Sequence, residues 1–181
     1  MTRVADHPTV VVLGLHVWPA DAEVPVPVDP LVLDWGGPVG DRHHGLTMRS
    51  DTRQKKNYPR GTEIRNHRQV SVVEESELAE VAAALGVDRL APGLIADNIY
   101  LAGATDLTAL PRMTRLVFAG GAVLMLGGEN DPCTIAGALV QAVHGTPATA
   151  FPKAAIHKRG VTGWVEHPGE IHLGESVEIR P

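Results

Sequence analysis

The only cysteine among the 181 residues, Cys133, stands in the stretch Asn130-Asp131-Pro132-Cys133-Thr134-Ile135-Ala136-Gly137. Thiolate is the form of cysteine that attacks electrophiles and binds soft metals. The first question is therefore whether the local chain favours it. Ile135, Leu139, Ala142 and Val143 recur at helical spacing. Asp131 is a good N-cap and Pro132 suits the first helical position. This predicts Cys133 in the first helical turn, beside unpaired backbone N–H groups and the positive end of the helix dipole. Asp131 works against the thiolate, because like charges repel. The apolar run Ala122 to Leu126, then Gly127-Gly128, completes the expected motif: strand, glycine-rich turn, helix start. The competing reading makes Cys133 a small buried apolar residue.

A second chemistry-bearing region lies upstream. From Asp41 to Arg68 there are eight Lys/Arg, including Arg49, Arg53 and Arg68, against three acids. That net +5 sits in a chain of net charge −5, so the remainder carries −10. Arginine forks and glycine-permitted backbone N–H groups there could clamp an anion. A solvated mobile loop is the plainer alternative. A local basic island on an acidic chain suits a small anionic ligand or cofactor, whereas a long polyanion meets repulsion, so nucleic acid is not expected as a partner. His43 and His44 are adjacent and do not easily reach one ion, and no C-x-x-C accompanies them, which argues against zinc. Asn98, just before a strand, could bond a ligand or serve its own turn. His144 and His157 are available as bases for a cysteine hydrolase, but nothing in the sequence brings either to Cys133.

The elements that must position these groups are mostly short strands. Runs at Thr9 to Leu15, Leu31 to Trp35, Arg68 to Val73, Ala96 to Leu101, Arg115 to Ala119, Ala122 to Leu126, Val161 to Val165 and Ser176 to Ile179 carry strand-forming residues bounded by turn signals. The prolines of 19–30 suggest an extended edge segment or linker, and 39–61 reads as a long loop, of the kind that is functional or disordered. Glu74 to Leu85 is an amphipathic packing helix, with acids in its first turn and Gly86 after it. Phe151 to Arg159 is ambiguous, a short helix being one reading. Two helices, many strands and no regular βαβ alternation predict a mainly β chain, a closed or partly closed barrel with helices packed on it. A single domain is expected, with a core over about 35–180 and an N-terminal strand and Pro-rich segment over 1–34. One cysteine, no apolar N-terminal run and no membrane-length stretch predict a cytoplasmic protein without membrane contact.

The ordered set of motifs resembles a known family. Gly40-Asp41-x-His43-His44-Gly45 comes first, then Arg68-Gln69-Val70-Ser71-Val72 before a helix, then Pro92-Gly93 with Asp97-Asn98-Ile99. Pro132-Cys133 and Lys158-Arg159-Gly160-Val161 follow. This is similar to the MOSC domain of molybdenum cofactor sulfurases and of stand-alone bacterial proteins, over roughly Trp35 to Ile179. The family's usual Glu-Asn pair is Asp97-Asn98 here. The resemblance implies a β-barrel-like fold and molybdenum cofactor or sulfur chemistry. Cys133 would be the catalytic thiol, as a persulfide carrier or a molybdenum ligand. Arg49, Arg53, Arg68, Asn98, His43 and His44 would be candidates for holding the cofactor, and reduction of N-hydroxylated compounds a candidate reaction. A sulfur donor or redox protein would be the partner. No pyridoxal phosphate site is expected, since sulfurases carry it on a separate domain.

Overall fold

A computed structural model of the protein describes residues 9–181. The expectations that touch residues 1–8 lie outside that range. In chain order the elements are β1 (Val10–Val17), β2 (Val26–Pro27), β3 (Leu31–Asp34), β4 (Gly37–Pro38), β5 (Thr47–Arg49), β6 (Glu63–Arg65), β7 (Val70–Glu74) and α1 (Glu75–Leu85). There follow β8 (Ile99–Ala102), β9 (Arg115–Phe118), β10 (Val123–Glu129), α2 (Thr134–His144), α3 (Ala150–Ala154), β11 (Val161–His167), β12 (Gly169–Ile171) and β13 (Ser176–Arg180). Seven strands hydrogen-bond in the order β13-β9-β10-β11-β7-β8-β1, and pairing of β13 with β1 closes the barrel. Every pairing in it is antiparallel except β7–β8, which is parallel and bridged by α1. That single βαβ unit does not recur, in keeping with the expected lack of regular βαβ alternation. A small sheet β12-β3-β4 packs beside the barrel.

Two apolar cores follow from the alternation of strand side chains between faces. Val72 and Leu101 point into the barrel with Leu15, Phe118, Leu124 and Val161. Their neighbours Val73 and Tyr100 point outward, into a second core with Leu78 and Val81 of α1, Val140 of α2 and Phe151 of α3. Strands β7 and β8 are therefore buried on both faces, which is why Val72-Val73 and Ile99 to Leu101 are unbroken runs of large side chains. Helix α1 starts where predicted: the Glu74 carboxylate accepts from the Ser76 and Glu77 N–H groups, and Gly86 closes the helix at φ 69°. Its packing role also holds a loop. Buried Glu77 accepts from the backbone N–H and hydroxyl of Thr108, whose hydroxyl oxygen accepts from Gly160 N–H at 2.8 Å.

Three sequence expectations change. The segment expected as a long loop folds into the β5–β6 hairpin, separate from the barrel, with a turn at Thr52–Gln54 capped by the Asp51 side chain. Its strands are three residues long and alternate weakly, so they leave little periodic signal. Gly127 and Gly128 form no turn. Strand β10 runs on through them to Glu129, with an irregular register between Leu126 and Gly128 that marks a bulge. And α2 begins at Thr134, so Cys133 itself is the N-cap, in extended geometry at φ −139° and ψ 162°. Asp131 and Pro132 precede the cap rather than forming the first turn, and the Cys133 carbonyl accepts from Gly137 N–H.

Candidate functional site

A cavity of about 530 Å³ opens between the end of the barrel, the start of α2 and the β5–β6 hairpin. Cys133, Arg49, Arg53, Arg68, Asn98, His43 and His44 all line it. The structure thus brings these seven residues around one cavity, across more than eighty positions of chain. Cys133 is half-buried and packs on the second core while forming part of the cavity wall.

The wall on the barrel side is rigid. Arg68 leads into β7, and its guanidinium donates to Asn130 Oδ1 at 2.9 Å. Asn130, just past β10, donates in turn to Ser71 Oγ at 3.0 Å. Arg159 precedes β11 and is only 5% exposed. It donates to the Ile95 carbonyl at 2.9 Å, while its buried Nε has no partner among the described residues. Burial, then repulsion by Arg53 and Arg159, pulls Arg68 down to about 10 from its ordinary value. Burial likewise lowers Arg159, against the attraction of Cys133 and Asp97. Cations held close together out of water, one with a spare buried donor, make a site that an anion would relieve.

Asp41 organises the rim. Its Oδ2 accepts from Trp18 N–H at 2.8 Å and from Asn98 Nδ2 at 2.9 Å. Its Oδ1 accepts from His43 N–H at 2.8 Å and lies 3.0 Å from His43 Nδ1. Burial pushes this carboxyl up, but the His43 and Trp18 hydrogen bonds outweigh burial and hold it below the usual carboxylate range. Asn98 is fully occupied as a donor, because its Nδ2 also reaches the His16 carbonyl. Its Oδ1 accepts from Ser71 N–H at 2.9 Å. It therefore clamps β1, β7 and the Asp41 loop, a long-range role where the sequence suggested a ligand contact or a local turn. His44 is bound to Asp34 at 2.7 Å.

Sequence reasoning passed over several wall residues. Arg159 was visible within a motif, but nothing local announces that it is buried. Asn130, Ser71 and Trp18 carry no signal of their own. Arg42, though basic, is spoken for: it stacks 3.8 Å above the Trp18 ring and donates to the Pro19 and Ala22 carbonyls. His144 and His157 lie off this cavity. His144 lines a second, apolar cavity, and His157 pairs with Glu129. Among the described residues no three His, Cys, Asp or Glu gather around a metal position. Cys133 is thus a lone soft donor among cations, a set that fits an anionic group bringing most of its own ligands.

Comparison with known proteins gives a consistent set of relatives. The model of the MOSC domain matches residues 41–178. A protein of Bacillus subtilis (strain 168), YuaD, named for a proposed role in metal-sulfur cluster biosynthesis, is 37% identical over 170 residues, which is 92% of this chain and 88% of that protein. The crystal structure of YuaD from Bacillus subtilis superposes with a TM-score of 0.89, covering 94% of this chain and 95% of the other at 37% identity. YiiM from Geobacillus stearothermophilus has the same fold at 15% identity, with a TM-score of 0.65, covering 95% of this chain and 75% of that one.

Proposed function

The chain belongs to the MOSC domain family, and from that premise we propose that its arginine-lined cavity binds a molybdenum cofactor, with the Cys133 thiolate as the metal's protein ligand. One observation carries this reading: the single cysteine shares a cavity with Arg68 and with Arg159, whose buried Nε is unpartnered among the described residues. Arg68 and Arg159 would neutralise the anionic group, Asn130 and Ser71 would hold Arg68 in place, and Asp41 with Asn98 would fix the rim. When bound, the cofactor would supply two-electron redox chemistry, reduction of N-hydroxylated compounds being the reaction class. Protein made in a cofactor-competent host should carry stoichiometric molybdenum, and Cys133→Ala should lose it. Metal retained at wild-type level by the folded variant overturns the ligand role.

A second reading is favoured by the place of half-buried Cys133 in the cavity wall and by the name of the Bacillus relative. Here Cys133 carries sulfur as a persulfide between partner proteins. Mass spectrometry after incubation with a sulfur donor would find one added sulfur on Cys133. An unmodified thiol that still reacts with iodoacetamide removes the carrier. A native thiol closed to that reagent would leave a non-catalytic anion-binding barrel.

A further inference from the structure

The β5–β6 hairpin holds more positive charge than the cavity uses. Between Thr47 and Arg65 it has six Lys/Arg against two acids, in a chain of net charge −5. Arg49 and Arg53 line the cavity, and Arg53 is further tied to Asp51 at 2.7 Å. The other four, Lys55, Lys56, Arg60 and Arg65, do not line it. All four are exposed, and among the described residues none of them forms an ion pair. A ligand seated in the cavity would leave them unanswered.

These cations are presented on an ordered support. Ser50 N–H donates to the Thr62 carbonyl and Ser50 Oγ to the Pro59 carbonyl, closing the base of the turn. Asn66 Nδ2 ties the hairpin's root to the carbonyls of His43 and Gly45. The charged tip is thus fixed at the mouth of the Cys133 cavity, and a partner would pay little to order it.

We propose that this hairpin is the docking surface for an acidic segment of a partner protein, which it brings to the mouth of the Cys133 cavity. Extent and surroundings favour a protein over nucleic acid. The hairpin carries a net +4 and the rest of the chain a net −9, so a polyanion running past it meets repulsion. Tyr58 is the one aromatic the hairpin offers, too little for a platform of stacked bases. Docking of this kind acts through association rate and register, and it holds whether Cys133 ligates a metal or carries sulfur.

The test uses hexaglutamate peptide on the full chain, with a 20-base-pair DNA duplex and phosphatidylglycerol vesicles as competing probes. The peptide should bind, and zero-length carbodiimide coupling should attach it to Lys55 or Lys56. The variant K55Q/K56Q/R60Q/R65Q should bind the peptide about tenfold more weakly, with unchanged circular dichroism and thermal midpoint. Cys133→Ala should bind the peptide as wild type does, which separates this surface from the fate of the thiol. Duplex or vesicles binding more tightly than the peptide at physiological salt would reassign the hairpin to those surfaces. Coupling elsewhere, or peptide affinity indifferent to the four substitutions, would end the proposal.

Discussion

Two sides of one cavity handle positive charge in opposite ways. On the barrel side Arg68 and Arg159 are drawn out of water, fixed by hydrogen bonds to Asn130 and to the Ile95 carbonyl, and depressed by burial. On the hairpin side Arg49 is exposed and Arg53 is answered by the nearby Asp51. Buried cations cost folding free energy and are retained where a ligand or partner repays them, whereas exposed ones cost almost nothing. On the proposed reading the barrel wall would be the binding element and the hairpin the approach to it.

The sharpest way to break the barrel wall is Gly160→Ala. Gly160 has φ 75°, and a Cβ there would drive into the Val72 carbonyl oxygen, so β7 and β11 could not keep their register. A loss above about 4 kcal/mol is expected, read as a failure to give a cooperative thermal transition. A variant within about 1 kcal/mol of wild type would show that the wall beside Arg159 is soft. Arg159→Met comes next and separates binding from stability. Removing a buried cation for an alkyl chain of similar length should leave the thermal midpoint unchanged or raised. Inorganic phosphate should bind the cavity roughly tenfold to a hundredfold more weakly, as expected for one lost charged hydrogen bond. A variant that unfolds while still binding phosphate when folded would make Arg159 a structural residue.

Asp41→Asn tests the rim between the two sides. The amide keeps one acceptor oxygen where the carboxylate takes bonds from Trp18, Asn98 and His43, so a loss of about 1–3 kcal/mol is expected at neutral pH. The direction with pH follows from the lowered carboxyl. A group depressed on folding lends stability above its unfolded range, and that stability fades as pH falls through its folded value. Wild type and variant should therefore converge in acid, and a constant gap down to strong acid would contradict the account.

How much of this the sequence held depended on whether a signal was local. Cys133, Arg49, Arg53 and Arg68 stood out because thiols are rare here and cations clustered, and the structure places these four around one cavity. The barrel followed from short β-branched runs, and the MOSC resemblance from ordered motifs. What stayed hidden was long-range. Asn98 earns its place through contacts with Ser71, His16 and Asp41, and Arg159 through burial, neither of which leaves a trace in neighbouring residues. Gly127-Gly128 misled because paired glycines mark a turn and a bulge alike. The start of α2 slipped by two residues because Asp131-Pro132 satisfies the rules for a cap that the chain places at Cys133.

The smallest expected effect is also the cleanest comparison. Arg49 lines the same cavity as Arg159, but it is exposed, and among the described residues its side chain's one hydrogen bond runs to the Gly61 carbonyl at 3.2 Å. Water already solvates its charge, so an anion gains little by adding to it. Arg49→Gln should shift stability by less than about 0.5 kcal/mol and weaken phosphate binding by less than about threefold, falling further at high salt. Measured beside Arg159→Met at one ionic strength, the two variants have the same charge change and differ in burial. If Arg49→Gln costs as much phosphate affinity as Arg159→Met, burial is not what makes the barrel wall the binding element, and the hairpin must close over the ligand rather than merely lead to it.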